Sequence, residues 1–162
     1  SPTPRYMILL GKFIGTFTNC VVQVVVLMLA LTVIGSLVSG QMQFIWGSNI
    51  LALVLVVLSV SLAAAGLGTL VSSLVKTPDQ GNVIGSIISM MMGLFGGVFF
   101  SVQQIPVLAP LSRLTIVYWA TDAFSKLSLE QGDIGLNLAV LLVIGAVFFV
   151  SGWAIFNRRM NV

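Results

Sequence analysis

Residues 101–132, SVQQIPVLAPLSRLTIVYWATDAFSKLSLEQG, are apolar without being able to cross a bilayer. Pro106, Pro110, Arg113, Asp122, Lys126 and Glu130 place a proline or a charge every few positions. Ile105, Val107, Leu108, Leu111, Leu114, Val117, Tyr118 and Trp119 nevertheless keep the stretch greasy. Ionisable groups are costly at the centre of a bilayer, so such a segment lies at the membrane surface or dips partly into it. The flanking sequence has no such interruptions and reads as ordinary membrane helices. The stretch is therefore expected to form an outer cap over a transport pathway, as two short helices broken near Pro106 and Pro110.

Composition sets the class. With 58% hydrophobic residues, 7% charged and a mean hydropathy of +1.13, the chain lies outside the soluble range. Its 162 residues hold about four or five spans of roughly 20 residues and no sizeable aqueous domain. The single Cys20 sits in an apolar run and has no partner for a disulfide or a cysteine metal site. Seven scattered cations give a net charge of +3, which reads as an orientation signal and not as a nucleic-acid surface. The opening Ser-Pro-Thr-Pro-Arg shows no signal-peptide pattern. A fragment cut just before a helix is expected.

The chain divides as follows. Residues 1–12 form a proline-punctuated, cationic interfacial segment in which Ser1 or Thr3 can cap a helix begun by Pro4. The first span is expected over 13–38, where Thr16, Asn19 and Gln23 share one helical face. That face either bonds a neighbouring helix or lines a pathway. After an uncharged turn with Trp46, a second span over 50–75 ends in small residues, Ala63 to Gly66, Gly68, Thr69, Ser72 and Ser73, suited to burial in a bundle. Lys76 to Gly81 reads as a loop. A third span over 82–100 carries a ladder of Gly85, Ser89, Gly93 and Gly97 for close helix contact. Met90 to Met92, Phe95, Phe99 and Phe100 fill its other faces, against lipid, core or an apolar substrate. The hairpin 101–133 precedes a last span over 134–156, closed by Arg158 and Arg159. The fold class is all-α: a polytopic membrane protein of four spans with a re-entrant or interfacial hairpin before the last.

Cations fix the expected orientation. Arg5 and Lys12 precede the first span, Lys76 lies between the second and third, and Arg158 and Arg159 follow the last. The positive-inside rule places all of them in the cytoplasm and the hairpin outside. No Asp, Glu, Lys, Arg or His lies centrally in any span, which disfavours an ion-coupled transporter or a channel. There is no phosphate-binding GxxxxGK[ST] loop, no His, and no nucleophile with a base, so the chain is not expected to be an enzyme. If it transports, a partner supplies the energy; a purely structural or assembly role for its small-residue faces is the remaining alternative.

SPTPRYMILLGKFIG at the start, TPDQGNVIGSIISMMMGLFGGVFFSVQQIP at 77–106 and a hairpin ending in YWATDAF together resemble the membrane subunit of type-2 ATP-binding cassette (ABC) exporters. The resemblance covers essentially the whole chain. It implies an inner-membrane, multi-pass permease with a cytoplasmic C-terminus, moving a drug, lipid or glycan outward. It implies a separate ATPase subunit holding ATP and Mg, no cofactor in this chain, and a second permease protomer. Family members typically have six spans, so these four correspond to the third to sixth. Ser1 to Tyr6, with Pro4, Arg5 and Tyr6, would match the end of an ATPase-coupling segment. Gln103 to Leu127, including Arg113, Tyr118, Trp119 and Asp122, would match the outer re-entrant helices.

Overall fold

Three stretches are long and apolar enough to cross a membrane: Met7–Ser39, Ile50–Leu74 and Gly135–Arg158. They belong to helices α1 (Arg5–Ser39), α2 (Ile50–Leu74) and α6 (Gly135–Arg159); α3 (Pro78–Phe95), α4 (Ala109–Ser112) and α5 (Ile116–Ser128) lie between the last two. The computed structural model describes residues 5–42, 44–98, 105–106 and 109–159, without the side chains of residues 5, 6 and 159. All regular structure among them is helical.

From Arg5 onward the interfacial segment and first span form one uninterrupted helix, because no proline follows Pro4 until Pro78. Leu9, Phe13, Phe17, Val21, Val24, Met28 and Thr32 recur every three or four residues and are the half-buried or buried face of α1. That face lies on α2 in the opposite sense: Thr16 is against Gly68, whereas Met28 packs on the cluster containing Ala52, Leu53 and Val56.

The α2 and α6 pair is the most extensive helix packing among the described residues. Gly145 faces Ala63 and Gly152 faces Leu70, a constant offset, so the two helices run in the same direction. Glycine at the crossing removes the side chain that would hold the backbones apart, which suits association inside a membrane, where dispersion contacts replace the hydrophobic effect.

Two helices running the same way require the chain to return between them. α3 begins beside the end of α2, where Gly81 meets Val75, and rises until Met92 reaches the cluster of Ala63, Ile116 and Leu141. There α5 takes over. Its Ile116 belongs to that same cluster, and its Ala123 and Leu127 pack against Ala52, Leu53 and Val56 near the start of α2. The second half of α2 thus faces α3 and the first half faces α5, both antiparallel to it.

The limits of α3 differ from the span expected over 82–100. Its start is earlier because Thr77 accepts a hydrogen bond from the Gln80 amide at 3.4 Å, Pro78 occupies the first turn and Gln80 Oε1 accepts from the Lys76 amide at 3.1 Å. This is capping-box chemistry, so TPDQ opens a helix and is not merely a loop. The end is earlier because Val98 N–H donates to Gly93 O at 3.2 Å and Gly97 N–H to Leu94 O at 3.4 Å, with Gly97 at φ +84°. That is a Schellman stop, which needs glycine in the left-handed region. Gly97 is therefore the terminator of α3 and not a fourth rung of its ladder. At 18 residues α3 is ~27 Å long, and its first five residues are polar or proline-glycine.

Candidate functional site

The polar and charged candidate residues fall at the two ends of the bundle and along one seam of α1. At the end where α2 starts, α5 is fastened to α6 by a polar junction built around Asn137. This side chain is fully buried. Its Nδ2 donates to Asp122 Oδ2 at 2.8 Å and to the Trp119 carbonyl at 3.2 Å, and its Oδ1 accepts from Lys126 Nζ at 3.0 Å. Lys126 also pairs with Asp122 at 2.7 Å, one helical turn away. Every polar atom of the Asn137 amide group is thereby engaged, which is what a buried amide requires. Lys126 and Asp122 are each about a third exposed, at 31% and 34%, so the ion pair itself contributes little and the amide is the stronger element.

The connection from α1 to α2 closes on the same helix. Gly47 lies directly on the Leu127 carbonyl, with φ +84° and no room for a Cβ. The Ser48 amide donates to Glu130 Oε1 at 3.0 Å. Hydrogen bonding from Ser48 holds the Glu130 carboxyl below its ordinary pKa. Trp46 donates from Nε1 to Thr32 Oγ1 at 2.9 Å and meets Phe124 edge-on at 5.9 Å. The cap is thus tied to α1, α2 and α6 together.

Within the segment 101–133, Pro106 is exposed and Pro110 lies in the single turn of α4, with the chain turning at 113–115 before α5. Arg113 is exposed and its carbonyl accepts from Trp119 Nε1 at 2.7 Å. Tyr118 packs edge-on to Trp119 at 5.3 Å. Thr115 caps α5, accepting from the Tyr118 amide at 3.2 Å. α5 is amphipathic: Ile116, Ala123 and Leu127 are buried while Thr121, Ser125 and Ser128 are exposed.

The face carrying Thr16, Asn19 and Gln23 is exposed on α1. Thr16 touches Gly68 through its methyl group, and neither Asn19 nor Gln23 hydrogen-bonds any described residue. Lys12, one turn before Thr16, continues the same face to the end of the bundle where α3 begins. Of the ladder on α3, a side chain at Gly85 would meet nothing within 4 Å, Ser89 is exposed and Gly93 is half-buried. No residue of α3 is buried. Pro4 and Gln103 lie outside the described residues, as do the side chains of Arg5 and Tyr6, whose backbone opens α1.

Sequence reasoning did not single out Asn137, nor the glycines 145 and 152 that let α6 seat on α2. An amide and two glycines within a long apolar run were the available signal. Among the described residues no group of His, Cys, Asp and Glu has metal-binding proximity.

The family model described as ABC-2 family transporter protein matches residues 1–154. The chain belongs to the ABC-2 transporter family. No curated protein and no solved structure matches it. Membership makes this all-helical, multi-pass protein the permease component of an ABC transporter, whose ATP hydrolysis is the work of an ATPase partner.

Proposed function

We propose that this ABC-2 subunit is the membrane half of an ATP-driven exporter that moves an amphiphilic drug, lipid or glycan outward across the cell membrane. Asn19 and Gln23 carry this reading. They stand on an exposed face inside a long span without a hydrogen-bond partner among the described residues. Hydrocarbon offers no hydrogen bonds, so such amides belong against a partner helix or a polar passage.

On this reading the chain crosses four times, with α3 and α5 together carrying the third crossing and α5 forming the re-entrant part. The same sense of α2 and α6 supports this, since the chain otherwise has no return path. Lys12, Lys76 and Arg158 then share one end, which the positive-inside rule assigns to the cytoplasm together with the C-terminus. Export is the proposed direction, with α5 on the outer side. Gly85 and Ser89 of the ladder line the cleft that α3 forms with α1 and α2, and a second copy of the permease meets α3 beyond that cleft.

Energy enters at the first turn of α1. Arg5 and Tyr6 stand there, residue types that often dominate protein contacts. Arg5→Glu with Tyr6→Ala in the full-length protein is expected to leave membrane insertion intact while lowering ATPase co-purification and substrate-stimulated ATP hydrolysis together. Both properties unchanged would remove the coupling role and leave these residues as lipid-headgroup contacts.

A further inference from the structure

A wide cleft is a second feature of the end where α3 begins, and its chemistry is mixed. It encloses about 690 Å³ between α1, the end of α2 and the start of α3, within the ~300–1,000 Å³ range of small-molecule sites. Leu67, Val71 and Ile88 form apolar wall, while Lys12 and Lys76 reach it from two different elements. The packing fixes their levels. Thr16 rests on Gly68, so one turn outward Lys12 stands level with Ser72, and Lys76 follows one turn beyond.

Both lysines are exposed and neither is paired with a carboxylate among the described residues. The one acid nearby in sequence, Asp79, does not line the cavity. Ser72, Asn82 and Ser89 also line it, and none of them hydrogen-bonds another described residue. Two cations without a carboxylate partner among the described residues thus line the cleft with Ser72 and Asn82 near the start of α3, while Leu67 and Ile88, with Ser89 beside them, line it further along the bundle. An anionic phosphate answers the first group, and a hydrocarbon chain answers the second.

We infer that this cavity binds an anionic phospholipid drawn from the bilayer leaflet on that side, its phosphate held between Lys12 and Lys76 and its acyl chain laid along Leu67, Val71 and Ile88. The site goes beyond the exporter reading and rests only on its placing this end of the bundle at a membrane surface. Binding is measured without the ATPase, so loss of the site and loss of ATPase coupling are separate results.

The test is retention of lipid by the full chain purified in an equimolar mixture of dioleoyl phosphatidylglycerol and dioleoyl phosphatidylcholine, read by native mass spectrometry. The intact protein is expected to retain phosphatidylglycerol preferentially. Lys12→Gln and Lys76→Gln should each lower that preference about fivefold, the fold-change equivalent to the ~1 kcal/mol a basic residue contributes at an anionic surface. The Lys12→Arg, Lys76→Arg double variant should keep it, and Arg158→Gln, a cation of the same end outside the cavity, should leave it unchanged. Millimolar inorganic phosphate should not displace the lipid. Equal retention of the two lipids by the intact protein, or undiminished preference in the double Gln variant, would overturn the site. Displacement by inorganic phosphate would overturn it in favour of a free-ion site, and an equal loss in Arg158→Gln would reduce it to diffuse attraction to the leaflet.

Discussion

Gly66 and Gly145 approach so closely that a Cβ added to Gly66 would lie 2.5 Å from the Gly145 carbonyl oxygen. Backbone, not a flexible side chain, occupies that position, so a larger residue can be accommodated only by separating the helices. The same holds at Gly152, where an added Cβ would lie 2.9 Å from the Leu70 nitrogen.

Gly145→Leu is therefore expected to lower stability by at least the ~1–3 kcal/mol typical of overpacking. Thermal unfolding in detergent should show a clear drop in midpoint. Gly15→Ala, where nothing lies within 4 Å, should leave the midpoint unchanged or slightly raised, as alanine favours helix. Equal effects at the two sites would mean that α2 and α6 do not touch there.

At the opposite end, Asn137→Leu removes the amide that joins Asp122, Lys126 and the Trp119 carbonyl. Asp122 and Lys126 are each about a third exposed and keep their own pair, so the loss is that of the amide's hydrogen bonds, ~1 kcal/mol. Amide hydrogen exchange over 116–128 should rise while exchange over 57–70, on the far half of α2, stays slow. Unaltered exchange in α5 would show that apolar packing alone holds the cap.

Much of this arrangement was legible in the sequence because hydropathy and small-residue spacing report directly on the membrane. The spans around 13–38, 50–75 and 134–156 each fall on a long helix, and Ala63 to Ser73 does form a buried half of α2. The limits of α3 were misplaced because Thr77-Pro-Asp-Gln80 has the composition of a turn but the spacing of a helix cap, and because Gly97 extends a four-residue ladder while serving as a stop. Asn137 was passed over since a single amide in an apolar run gives no hint of which distant carboxylate and ammonium it will meet. The shared direction of α2 and α6 depends on long-range contacts between glycines some eighty positions apart, which no local pattern records.

Glu130 gives the cap a pH dependence. Its carboxyl is held below the ordinary value by hydrogen bonds from Ser48. A depressed folded pKa contributes stability above the unfolded pKa of ~4.3, and that contribution is lost as pH falls through the lowered value. A spin label at Gln41, in a Cys20→Ser background, should gain mobility as the pH falls through that lowered value. In Glu130→Ala the label should already be mobile at neutral pH and show no such transition; an acid transition that persists would place its origin elsewhere.

The exposed face of α3 separates fold from assembly. A Cβ at Gly85 would meet nothing within 4 Å and a leucine there has the cleft to occupy, so the unfolding temperature of the Gly85→Leu monomer should be little changed. If a second copy meets α3 beyond the cleft, Gly93→Leu should shift the purified protein from dimer to monomer in size-exclusion chromatography with light scattering, and Gly85→Leu, inside the cleft, should not. A dimer of undiminished stability in Gly93→Leu would leave the face to lipid.

The four-crossing arrangement, with α3 and α5 together returning the chain between the like-directed α2 and α6, is tested most directly by two-sided cysteine labelling. Asp79→Cys, Ser128→Cys and Asn157→Cys, each at an exposed position in a Cys20→Ser background, are treated with an impermeant maleimide before and after permeabilisation. Ser128→Cys is expected to react in intact cells, and Asp79→Cys and Asn157→Cys only once the inner side is opened. Reaction of Asp79→Cys and Ser128→Cys from the same side would contradict the crossing.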